Sequence, residues 1–127
     1  ILLVDDHATV RSSIRDLIEI AGEHEVIGEA STGREAITKT IELEPDLVLM
    51  DVNMPVQDGV SATQELRSKG LHMPIVAMTA NALKGQAEAY IAKGMTEYIA
   101  KPVNRTLLTE VLFRCFQTSY GKSRTGS

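Results

Sequence analysis

The stretch LVLMDVNMP, residues 47–55, places a carboxylate, Asp51, at the end of an apolar run and a proline four positions later. A short, partly β-branched apolar run of this kind suits a strand buried on both faces. Asp51 then stands where the strand leaves the sheet. Working outward, four more runs have the same character, at residues 1–4, 26–30, 75–78 and 98–100. Helical patterns alternate with them. Val10, Ile14, Leu17, Ile18 and Ala21 recur at helical spacing, and Ala36, Ile37, Thr40 and Ile41 repeat the pattern before Pro45 ends it. Residues 58–69 and 82–93 predict a third and a fourth helix, stopped by Gly70 and Gly94. Leu107, Leu108, Val111, Leu112 and Cys115 form the stripe of a fifth. Residues 117–127, QTSYGKSRTGS, carry no stripe and read as a linker, a tail or a cloning remnant, which leaves 1–116 as one domain.

Five βα units predict an α/β fold with a doubly wound parallel sheet, strand order 2-1-3-4-5, right-handed crossovers and helices on both faces. Such sheets bind ligands outside the carboxyl ends of the strands, where the chain reverses between strands 1 and 3. Asp5 and Asp6 follow strand 1, Asp51 strand 3, Thr79 strand 4 and Lys101 strand 5, so this order converges them on one edge. Strand 2 ends in EASTG and offers no comparable group.

Composition narrows the classes. A chain of 127 residues, 43% hydrophobic, can bury one core. Thirteen basic against seventeen acidic residues, a formal charge of −4, argue against a nucleic-acid backbone as ligand. No apolar stretch approaches the roughly 20 residues that span a bilayer, and no secretory signal opens the chain, so the expectation is a cytoplasmic location without membrane contact. The lone Cys115 fits a reducing compartment and falls on the core stripe. An opening directly on ILLVDD suggests an excised or trimmed piece.

Three gathered carboxylates repel: two unit charges about 4 Å apart cost roughly 4 kcal/mol at an effective dielectric near 20. Hard oxygen donors with room for water and a phosphoryl oxygen describe a magnesium site better than zinc or calcium. A carboxylate can act as a nucleophile toward phosphorus, and the Lys101 ammonium and Thr79 hydroxyl suit the remaining phosphoryl oxygens.

The segments LVDD, LMDVNMPVQDG, MTA and YIAKP resemble, in order and spacing, the receiver (response-regulator) domain of two-component signalling across residues 1 to about 116. The resemblance implies a flavodoxin-like fold and phosphorylation of Asp51 by a phosphohistidine on a histidine kinase or histidine phosphotransfer domain. It implies Mg²⁺, with Mn²⁺ as a substitute, held by Asp6, Asp51 and the backbone carbonyl of Asn53, with Asp5 acting through water. Thr79 and Tyr98 would form the switch pair that alters the surface of helix 4, strand 5 and helix 5, and the Lys101–Pro102 bond would be cis. Asn53 and Asn81, with the small Ala80, occupy the positions that tune phosphoryl lifetime in this family; neutral amides there imply hydrolysis that is neither blocked nor specially accelerated.

Blander roles compete at single residues. Asp5 and Asp6 could cap helix 1, and Lys101 or Thr79 alone would be ordinary. Pro55 and Gly59 read as a turn into helix 3, and Pro102 as structural. His7 reads as a solvent-facing loop residue, since imidazole suits softer metals than magnesium. Phe113 falls off the helix 5 stripe and points to a partner or homodimer surface. TANA resembles receivers of hybrid histidine kinases, while VIGEASTGREAI resembles receivers joined to helix-turn-helix effectors; a recombined sequence would also combine the two. The competing class is a magnesium-dependent phosphohydrolase with an aspartyl nucleophile, but that chemistry places a second acid where Asn53 stands. A flavodoxin proper would need a Ser/Thr/Gly phosphate loop where DDHATV stands.

Overall fold

The computed structural model describes residues 1–22, 24–52, 59–80 and 84–126. Asn53, Pro55 and Asn81 lie outside the described residues. Strands β1 (Leu2–Val4), β2 (Gly28–Ala30), β3 (Val48–Asp51), β4 (Ile75–Thr79) and β5 (Glu97–Ala100) alternate with helices α1 (Ala8–Ala21), α2 (Gly33–Leu43), α3 (Gly59–Ser68), α4 (Lys84–Ala92) and α5 (Arg105–Gly126). The sheet runs β2-β1-β3-β4-β5, and every pairing is parallel, as the apolar runs predict.

Period-two alternation along the strands builds two cores. Leu3, Leu49, Val76, Met78 and Ile99 face the α1/α5 side, where Ile14, Ile18, Leu108, Val111, Leu112 and Cys115 meet them. Leu2, Val4, Val48, Met50, Ile75 and Ala77 face the other way, onto Ala36, Ile37, Ala62, Leu66 and Met95. Burial on both faces explains why these strands read as unbroken apolar runs. Two residues expected in helical stripes are exposed instead, Ile41 at 49% and Leu107 at 39%. Each lies at the margin of its apolar arc, where a small rotation of the helix turns a side chain to solvent.

Helix ends follow local chemistry. The Thr32 hydroxyl accepts from the Glu35 amide at 3.1 Å, while the Glu35 carboxylate accepts from the Ser31 amide at 2.7 Å. This arrangement, close to a capping box, engages the polar residues that follow β2, so strand 2 adds no group to the site edge. Helix α2 ends at Glu44, in the left-handed region at φ 48°, just before Pro45. Gly94 turns the chain from α4 into β5 at φ 112°, a conformation that an L side chain rarely adopts. Helix α5 runs on through the segment read as a tail, to Gly126.

Candidate functional site

Backbone ladders set the edge on which the polar residues collect. The Asp5 amide donates to the Ala30 carbonyl at 3.0 Å, the Val52 amide to Met78 at 3.1 Å and the Lys101 amide to Thr79 at 2.8 Å. Asp5, Asp51, Thr79 and Lys101 are therefore held by the sheet itself, at the carboxyl ends of four adjacent strands. The Lys101–Pro102 peptide is cis, as the resemblance implies.

The ammonium of Lys101 bridges two of the acids. Its Nζ lies 2.9 Å from Asp5 Oδ2 and 3.2 Å from Asp51 Oδ2. Both carboxylates are withdrawn from solvent, with side chains 0% and 1% exposed. Burial is the largest single influence on the ammonium and disfavours its charge. The hydrogen bond that Lys101 donates to Asp5, with the charges of Asp51 and Asp5 and the bond to Asp51, outweighs burial and holds Lys101 above the ordinary lysine value.

Helix-capping is not what the first two acids do. His7 is the N-cap of α1 and makes no side-chain cap bond, whereas its backbone N–H donates to Asp5 Oδ1 at 2.9 Å. Asp5 thus engages the helix entry with one oxygen and Lys101 with the other. A guanidinium N–H of Arg11 donates to the Asp5 carbonyl, and Arg11 and Arg15 both pair with Glu29 of β2. These contacts tie α1 to the strands beneath the acids.

Asp6 presents a different situation. Its Oδ1 is buried and accepts no hydrogen bond among the described residues. A buried carboxylate oxygen that accepts no hydrogen bond is costly unless a cation reaches it. Ligand atoms of Asp5, Asp6, His7 and Asp51 all lie within 4.8 Å of one another. A set dominated by carboxylate oxygens fits a hard divalent cation such as Mg²⁺. His7 is 67% exposed, as a loop residue should be, yet its Nδ1 lies 2.9 Å from Asp6 Oδ1 and 3.4 Å from Asp5 Oδ1. It stands closer to the acids than a purely solvent-facing role requires.

Around this centre, Thr79 is fully buried, and Tyr98 lies on the same face of the sheet, paired in register with Ala77 two residues before Thr79. Ala80 is exposed beside it. Gly59 opens α3 directly beneath β3: a Cβ there would meet the Asp51 carbonyl oxygen at 2.3 Å and Met50 Cγ at 2.7 Å. The structural reading of Gly59 therefore has a steric basis. One contact was not anticipated from sequence. The Tyr90 hydroxyl of α4 lies 3.4 Å from Thr79 Oγ1. The available signal was a lone aromatic in the Ala-rich segment KGQAEAYIA, which has no apolar stripe to fix the facing of the helix.

Comparison with known proteins gives a consistent picture. A family profile described as the response regulator receiver domain matches residues 1–113. The chain is 44% identical over 120 residues to two-component system protein A of Emericella nidulans, covering 93% of this chain but only 17% of that protein. It is 37% identical over 112 residues to the chemotaxis protein CheY of Thermotoga maritima, covering 88% of this chain and 92% of the relative. Among solved structures, the REC domain of AraT, a response regulator from Geobacillus stearothermophilus, superposes with a TM-score of 0.84 at 26% identity, covering 96% of this chain and 95% of that one.

Proposed function

Because this chain belongs to the response regulator receiver domain family, we propose that Asp51 takes a phosphoryl group from a phosphohistidine on a histidine kinase or histidine phosphotransfer domain. The observation that carries the reading is the bridge of Lys101 between Asp5 and Asp51, set beside a buried Asp6 oxygen that accepts no hydrogen bond among the described residues.

In this reading an Asp51 carboxylate oxygen attacks phosphorus. An O–P bond forms, the P–N bond to the donor imidazole breaks, and that ring keeps the electron pair and takes up a proton. Asp5 and Asp6, with Asp51 and the Asn53 carbonyl, would hold Mg²⁺ or Mn²⁺, which supplies charge neutralisation for the transferring oxygens. Lys101 bridges Asp5 and Asp51 and is placed to move its ammonium onto a phosphoryl oxygen. Thr79 offers a hydroxyl to another, and Tyr98, its neighbour on the same sheet face, follows the change. Asn53, Asn81 and Ala80 set the approach of hydrolytic water. The activity is thus a signalling switch that assists its own phosphorylation and its own dephosphorylation. A phosphohydrolase is not favoured, since the family match is to receivers.

The change would be read on the face formed by α4, β5 and α5, by a partner or by a second copy of the chain. Phe113 supports this: it is 64% exposed on α5, off the core stripe. No helix among the described residues is long and apolar enough to cross a membrane.

Incubation with acetyl phosphate and Mg²⁺, followed by intact mass measurement, tests the reading. One phosphoryl adduct is expected in the parent chain and none in Asp51→Asn. Turnover of many equivalents of a phosphate ester, or an adduct that survives in Asp51→Asn, overturns it.

A further inference from the structure

We propose that the Tyr90 hydroxyl is a latch on Thr79: it holds the threonine hydroxyl against α4, in competition with a phosphoryl group on Asp51. The proposal rests on the reading of Asp51 as phosphoacceptor and Thr79 as phosphoryl-binding residue.

Tyr90 packs its ring against the core on the α2/α3 side of the sheet, and its hydroxyl approaches Thr79 Oγ1 to 3.4 Å. A phosphoryl oxygen can only accept, so Thr79 must bring both its position and its single proton to that oxygen. The Tyr90 contact ties Oγ1 to a place set by α4. If Thr79 is the donor, the contact also occupies the proton. At 3.4 Å the contact is long for O–H···O, so it biases Thr79 weakly and can be displaced.

The same residue closes its own helix. The Tyr90 carbonyl accepts from the Lys93 amide at 3.1 Å and from the Met95 amide at 3.2 Å, and Met95 is buried in the same core. The ring that touches Thr79 and the carbonyl that ends α4 thus belong to one residue, next to Ile91, which is 47% exposed. Release of Thr79 frees the Tyr90 hydroxyl and passes the state of the site to the last turn of α4. Tyr98 occupies β5 and reaches the switch face from a different element, so the latch adds to the Thr79/Tyr98 pair and does not replace it.

The test is a double-mutant cycle with beryllofluoride, a phosphoryl mimic, titrated calorimetrically in Mg²⁺ into the parent chain, Tyr90→Phe, Thr79→Ala and the double variant. Tyr90→Phe keeps the ring and removes only the hydroxyl. It is expected to tighten beryllofluoride binding roughly two- to threefold, the low end for loss of one neutral hydrogen bond, with melting temperature and affinity for Mg²⁺ alone unchanged. In the Thr79→Ala background the same change is expected to have no effect. Unchanged or weaker binding by Tyr90→Phe, or an equal gain without Thr79, overturns the latch. A parent chain that binds no beryllofluoride and takes no phosphoryl group from acetyl phosphate shows a separate failure: the reading of Asp51 itself falls, and the latch with it.

Discussion

Lys101 sets the electrostatics of the site. Its ammonium touches two buried carboxylates that would otherwise face one another uncompensated. Replacing it with Met in metal-free buffer is expected to lower unfolding stability by about 3 kcal/mol, the low end for breaking a buried pair, because the change strands the opposite charge while Lys101 itself is partly exposed. Urea unfolding in EDTA and again in Mg²⁺ measures this, and the deficit is expected to shrink with the cation present; an equal loss in both would separate the acids from metal binding. The pH sign follows from the raised lysine value. A group held above its unfolded value contributes fully below the unfolded lysine value, near 10.4, and loses that contribution as pH rises through the higher folded value. In the parent chain the Lys101 contribution is therefore complete at neutral pH and lost only in strongly alkaline solution. At this scale the sequence was most informative about strand ends. Asp5, Asp51, Thr79 and Lys101 were legible because a residue after a parallel strand has one edge on which to fall. Tyr90 was not, because its reach depends on how α4 lies on the sheet. Cys115 behaves as its place on the stripe implies: burial pushes its thiol up to about 11 and leaves it unreactive.

The elements were legible in type and order, with their boundaries shifted. Strand β2 begins at Gly28, two residues later than the apolar run, and β3 and β4 extend through Asp51 and Thr79. The last two shifts have the same cause: each polar residue still pairs in the parallel ladder, which periodicity of apolar residues cannot reveal. The exposure of Leu107 likewise reflects the rotation of α5, which the stripe alone leaves open by about one residue, or 100°. The closest packing of helix on sheet is at Gly59. Gly59→Ala is expected to force α3 away from β3 and to cost about 1–3 kcal/mol, the range for overpacking a tight contact. Chemical denaturation measures the loss, and a variant as stable as the parent would mean that α3 can slide without disturbing β3. Arg67 supports the same region from the far end of α3. It donates to the Gly94, Leu71 and Met73 carbonyls, and burial lowers its pKa from the usual guanidinium range.

For the whole molecule, topology makes the chemistry possible. The reversal between β1 and β3 brings residues 5, 51 and 101 together although the first and last are 96 positions apart. Two apolar cores clamp the sheet from either side, so the edge that carries the acids is held by the most buried part of the fold. This stretch of chain spans only 17% of the Emericella protein that it resembles but 92% of the Thermotoga one. The central claim is that this architecture singles out one carboxylate among three to carry phosphorus. Phosphorylation by a phosphohistidine donor, immediate reduction with borohydride and peptide sequencing by mass spectrometry test it most directly, since reduction converts an acyl phosphate on aspartate to homoserine. The account predicts homoserine at position 51 alone; homoserine at position 5 or 6, or at none of the three, contradicts it.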